Sequence, residues 1–270
     1  MIGVFDSGFG GLTILKELRQ KLASYDFVYL GDNARSPYGN RSFDTILEYT
    51  RQAVDFLFAQ GCELVILACN TASARALRSL QQNWLPQVAP QKRILGVIRP
   101  LSEDLGAWSK SAKIGILGTS GTVKSQSYPL ELAKFWPGVQ VFQQACPLLV
   151  PLIENGEVSG PGAEYFVRKY TQQLMAQAPQ IDVVALACTH YPLLLPLFRD
   201  NLASHIKIVE QGPLIATKTQ DYLRRHPEIE QKLTQNGKCI YYTTDESQAF
   251  DSGAADFLGS QIKSSQVSLG

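Results

Sequence analysis

Two stretches of this chain repeat one another: ELVILACNTAS at residues 63–73 and DVVALACTHYP at residues 182–192. Leu64-Val65-Ile66-Leu67-Ala68-Cys69 lies over Val183-Val184-Ala185-Leu186-Ala187-Cys188. Each is a short apolar run without alternation, the pattern of a strand buried on both faces of a parallel sheet. In each, a cysteine stands where the strand should give way to a loop. A polar pair follows, Asn70-Thr71 in one copy and Thr189-His190 in the other. Strands covered on both faces require flanking helices, so the repeat points to an α/β architecture.

A second echo lies upstream. IGVFDSGFGG at residues 2–11 answers IGILGTSGTV at residues 114–123. Each half thus opens with a strand running into a turn rich in Gly, Ser or Thr. One such match is common in α/β proteins; two in the same order at similar spacing imply an internal duplication. At 270 residues the chain has room for two modest lobes. Mainly parallel sheets flanked by helices are expected in two pseudo-symmetric lobes, with the site in the cleft between them.

Strands are expected at residues 2–6, 27–30, 94–98, 114–118, 139–143 and 206–209, besides the two that end in cysteine. Leu12, Leu15, Leu18 and Leu22 recur at helical spacing after the first glycine turn. That turn could present backbone N–H groups to an anion at the helix N-terminus, or serve only to reverse the chain. Ser42 caps a helix closed by Gly61, another follows Cys69 through residue 82, and residues 163–177 read as helical. The loop GDNARSPYGNRS at residues 31–42 places Asp32 and Tyr38 beyond a strand's carboxyl end, where ligands of open α/β sheets bind. Arg99-Pro100 should stop the strand at 94–98 and hand the first lobe, residues 1–98, to the second, residues 99–208. The basic cluster Arg224-Arg225-His226 should face solvent, and the Ser-rich tail after Lys263 should be loose.

Composition narrows the function. Twenty-five basic and 24 acidic residues leave a net charge of +1, no general attraction to nucleic acid or an anionic membrane. No apolar run is long enough to span a bilayer. Residues 1–6 read as a core strand rather than a signal peptide, so a cytoplasmic protein is expected. Five cysteines with no C-x-x-C pair argue against a disulfide framework or a zinc site, and three scattered histidines add nothing to a metal set. Cys62, Cys146 and Cys239 lack a repeated context and read as small core residues.

Cys69 and Cys188 are different. A cysteine at a strand-to-helix corner is near the positive end of the helix dipole, which favours the thiolate. A cysteine hydrolase would need a histidine base; His190 could serve Cys188, yet nothing equivalent follows Cys69. A two-lobed amino-acid-binding protein needs neither thiol. Two thiols on opposite lobes suit a nearly symmetric reaction, moving a proton from one face of a carbon to the other. Such a site must stabilise carbanion charge with fixed donors and exclude water. Ser7, Asn70, Thr71, Thr189 and the turn amides are suitable donors for a substrate's carboxylates.

At these residues the chain resembles the glutamate racemases. The resemblance runs through FDSGFGG (5–11), GD (31–32), PYG (37–39), CNTAS (69–73), GT (118–119), CP (146–147), VPLIE (150–154) and CTHYPLL (188–194). Aspartate racemases share the two-cysteine plan, but CTHYP with PYG favours the glutamate branch. The resemblance implies that Cys69 and Cys188 are the acid/base pair, Cys69 for the D-enantiomer and Cys188 for the L-enantiomer. It implies that Asp6 assists Cys69 and His190 assists Cys188. Asp6, Ser7, Tyr38, Gly39, Asn70, Thr71, Thr119, Thr189 and His190 would line the substrate pocket. It further implies no metal or cofactor, a homodimer, supply of D-glutamate for peptidoglycan, and a C-terminal segment (209–270) that returns to complete the first lobe. Leu101 and Glu210-Gln211 depart from the pattern. Neither is expected to touch a cysteine motif, so both should bear on lobe packing or regulation rather than on the reaction.

Overall fold

The computed structural model describes residues 1–269. Ten strands form two sheets in which every pairing is parallel: β1 (Ile2–Asp6), β2 (Phe27–Gly31), β3 (Leu64–Leu67), β4 (Arg93–Gly96), β5 (Lys113–Gly118), β6 (Gln140–Ala145), β7 (Val183–Ala187), β8 (Lys207–Val209), β9 (Cys239–Thr243) and β10 (Ser264–Gln266). The first sheet has the order β10-β9-β2-β1-β3-β4 and the second β6-β5-β7-β8. With β1 matched to β5 and β3 to β7, the order β2-β1-β3-β4 is repeated as β6-β5-β7-β8. The duplication read from two motifs is therefore a duplication of topology.

The central strands have no polar face because both faces are covered. Ile2 and Val4 pack into one cluster with Leu12, Leu15 and Leu18 of the helix Gly11–Lys21. Phe5 joins another with Val54 and Leu57 of the helix Phe43–Ala59. That helix begins where Ser42 accepts from the Thr45 N–H, a side-chain cap that satisfies one of its free donors. In the second lobe Leu101, one of the two departures, is fully buried in a cluster with Leu105, Ile114, Ile116 and Tyr128. It fills the space between the helix Ile98–Trp108 and β5.

Several elements differ from expectation, and the helix expected from Cys69 through residue 82 is broken after Arg75. Residues 97–98 do not extend β4: Ile98 opens the helix Ile98–Trp108, with Arg99-Pro100 in its first turn, where proline's missing N–H costs nothing. The tail is not loose, since residues 264–266 form β10 against β9, and the Val267 N–H donates to the Thr243 carbonyl at 2.8 Å. Strand β9 itself, CIYYT, was not foreseen. The Arg224-Arg225 pair does face solvent, both residues bonded to Asp221. Among the described residues no helix is long and apolar enough to cross a membrane.

Candidate active site

In both sheets the chain moves one way from the first strand and the opposite way from the third, so a crevice opens at the carboxyl ends of β1 and β3, and of β5 and β7. The residues just past those ends are Asp6-Ser7 and Cys69-Asn70 in one lobe, Thr119 and Cys188-Thr189 in the other. They meet. One cavity is lined by Ser7, Tyr38, Gly39, Cys69, Asn70, Thr71, Thr119, Cys188, Thr189 and His190. Every residue expected at the site lines it except Asp6, which is fully buried nearby. The cavity is narrow and sits between the walls of the two lobes.

Asp6 explains the glycine turn. Its carboxyl accepts the Gly8 N–H at 3.0 Å and the Thr189 hydroxyl at 3.2 Å, so the chain's own side chain occupies the place of an anion. Burial raises the Asp6 pKa against the opposing pull of His190. Gly10 is required for a different reason. A Cβ there would stand 2.3 Å from both His190 Nδ1 and Thr189 Oγ1, so the second lobe's loop after β7 approaches the first across a missing side chain.

The two cysteines have unequal surroundings. Cys69 Sγ is 3.5 Å from Ser7 Oγ. Burial, reinforced by the Asp6 carboxyl, pushes its thiol up to about 12. The helix Asn70–Arg75 that follows is only six residues long, and desolvation outweighs its terminus, contrary to the thiolate expected from position alone. Cys188 Sγ lies 3.9 Å from His190 Nδ1, and His190 Nε2 lies 2.9 Å from Glu154 Oε1. Burial disfavours a charged imidazole, but the bonds to Cys188 and Glu154 outweigh it and hold His190 well above the usual histidine range. Glu154, carried by the helix Leu149–Glu154, was read in sequence only as part of VPLIE. Nothing local marked it as the partner of a histidine 36 residues on.

Other side chains are less free than the sequence implied. The Tyr38 hydroxyl donates to Asp32, which also accepts from Arg35 and Thr244, so Tyr38 offers the cavity its ring and backbone. Thr71 and Thr119 join their hydroxyls across the lobes at 2.9 Å. The Asn70 carboxamide is held at both ends: its Nδ2 donates one hydrogen to Gln211 Oε1 at 2.6 Å, and its Oδ1 accepts from Gln211 Nε2 and the Tyr128 hydroxyl. Gln211 thus binds a cysteine motif directly, contrary to the expectation for that departure. Cys146 also differs: it lines the cavity rather than serving only as core, as do Pro147, Val150 and Pro151.

No protein-family model matches the chain. A glutamate racemase from Ruegeria pomeroyi is 40% identical over 271 residues, covering 97% of each chain. The structure of glutamate racemase isoform RacE1 from Bacillus anthracis matches with a TM-score of 0.87 at 31% identity, over 100% of this chain and 97% of that one. Glutamate racemase from Francisella tularensis, solved in complex with D-glutamate, matches at 0.86 and 32% identity, over 99% and 97%. With two duplicated α/β sheets and a cysteine at the same corner of each, the chain belongs to the glutamate racemase family.

Proposed function

We propose that the protein interconverts L-glutamate and D-glutamate by proton transfer between two thiols, without a cofactor. In the L-to-D direction the Cys188 thiolate takes the α-proton and becomes a thiol. The C–H electron pair passes into the planar carbanion, delocalised over the α-carboxylate. The Cys69 thiol gives its proton to the opposite face, leaving a Cys69 thiolate and D-glutamate. The reverse reaction begins at Cys69, so each cysteine serves one enantiomer.

One observation carries the proposal: both cysteines, at equivalent corners of two sheets with one strand order, line a single cavity. The inequality of the two sides fits the first step. A thiol held up to about 12 is a proton donor at neutral pH, and a protonated His190 gives Cys188 a positive partner. Asp6 acts from behind the cavity lining, on Cys69 through its charge and on Thr189 through a hydrogen bond. Ser7, Tyr38, Gly39, Asn70, Thr71, Thr119, Thr189 and His190 surround the substrate, Asn70 with its backbone and the second Nδ2 hydrogen. The cavity lies between the two lobes, and their closing over the substrate would exclude water from the carbanion.

The glutamate assignment is supported by the relatives' activity and by the complex of the Francisella protein with D-glutamate. Supply of D-glutamate to peptidoglycan, a cytoplasmic location and a homodimer belong to the same proposal. The test is to follow α-proton loss by NMR in deuterated water with no added cofactor. L-glutamate should lose its α-proton signal and L-aspartate should keep it. Exchange of aspartate with glutamate untouched would overturn the substrate assignment.

A further inference from the structure

Cys69 occupies the N-cap of the helix Asn70–Arg75, yet no side chain caps that helix. Ser, Thr, Asp or Asn would ordinarily fix such a corner through a local hydrogen bond. The helix is also short, with a new segment beginning at Leu77. Local structure therefore leaves the direction of the Cys69 side chain weakly held. What holds the next residue comes from elsewhere in the chain. Asn70 and Gln211 pair their carboxamides reciprocally, at 2.6 and 3.0 Å. The Tyr128 hydroxyl closes the group, donating to Asn70 Oδ1 and accepting from Gln211 Nε2, both at 2.7 Å. All three side chains are buried, with exposures of 2% or less. Tyr128 stands on the second lobe, and Gln211 lies just after β8, where the chain leaves the second sheet. The three together anchor the Cys69 corner to the opposite lobe.

We propose that Gln211 is a positioning residue for Cys69: its paired carboxamide fixes Asn70, and through the shared backbone sets the aim of the Cys69 sulfur at the substrate α-carbon. The assignment rests on the two-thiol proposal and adds to it a residue at a position where this chain departs from the family pattern. Asn70 touches the cavity; Gln211 does not line it. Gln211 therefore acts through its neighbour. The sulfur of Cys188 has a different support, His190 and Glu154, which Gln211 does not contact.

This division gives a readout that a merely structural role would not move. The two enantiomers are equal in free energy, so any variant must slow kcat/KM equally in both directions, and rates alone cannot say which thiol is affected. Substrate isotope effects can. With α-deuterated D-glutamate the labelled transfer is to Cys69; with α-deuterated L-glutamate it is to Cys188. Gln211→Met keeps the length of the side chain and removes its hydrogen bonds. It should slow racemisation by on the order of 10- to 100-fold, the scale of a small misplacement of a reacting group. The isotope effect should rise with labelled D-glutamate and fall with labelled L-glutamate. Tyr128→Phe, which removes one donor to Asn70 and keeps the amide pair, should shift both in the same directions by less, and it tests the assignment if Gln211→Met does not fold. Isotope effects unchanged from the native pattern in the folded variants would overturn the assignment of Gln211 alone. Racemisation at the native rate in Cys69→Ser would overturn the two-thiol proposal itself, and this assignment with it.

Discussion

At the scale of single residues, the cavity sets two cysteines in contrasting surroundings, and the proposed reaction uses that contrast. Cys69 is buried beside a carboxyl, Cys188 beside a histidine held by Glu154. Replacing either cysteine with serine should reduce racemisation by ~100-fold or more, the usual cost of losing an acid/base group, measured by polarimetry. Gly10→Ala should be nearly as damaging, at least ~10-fold, because the added methyl enters the space of His190 and Thr189. Glu154→Gln tests the histidine. The His190 pKa is raised on folding, so its contribution to stability is fully present below its unfolded value of about 6.5 and is lost as pH rises through the folded value. Removing the Glu154 charge lowers that folded value. The alkaline limb of the kcat/KM profile should therefore move to lower pH, with a parallel shift of the His190 ring signals in NMR titration.

At the scale of elements, the corner after a buried parallel strand does most to build the site. β1, β3, β5 and β7 deliver their residues to one cavity because strand ends at a reversal of chain direction leave a crevice. The C-terminal strands extend the first sheet rather than the site. β9 pairs with β2 and carries β10, and Val267 and Leu269 pack against the Phe5 cluster. Deleting residues 264–270 should lower stability by on the order of 2 kcal/mol, from lost strand pairing and apolar burial, with the cysteine motifs intact. Urea denaturation would read the loss, and racemisation per folded molecule should hold near its native value. The tail escaped a sequence reading because three residues, Ser-Ser-Gln, carry neither apolar alternation nor β-propensity; only the exposed edge of β9 makes them a strand.

At the scale of the whole molecule, burying thiols in both the core and the site ties stability to pH. Cys62 and Cys69 are each pushed up to about 12 by burial, from 9.0. Between those values the unfolded chain has lost thiol protons that the native protein keeps, so stability falls as pH rises from 9 toward 12, by on the order of a few kcal/mol per thiol. Denaturation midpoints measured across that range should decline, and Cys62→Ala should flatten the decline. The repeat of strand, cysteine and polar pair determined, from sequence alone, two α/β lobes and the two cysteines that line one cavity. Apolar runs and glycine turns are local signals, and a duplicated pattern repeats them in register. The tertiary structure alone decided which side chains stay free: Asn70 is taken by Gln211, Tyr38 by Asp32, and His190 by Glu154. The pairings of Asn70 and His190 join residues 141 and 36 positions apart, and a buried hydrogen bond of that kind depends on where two backbones meet, which no local pattern of residues records.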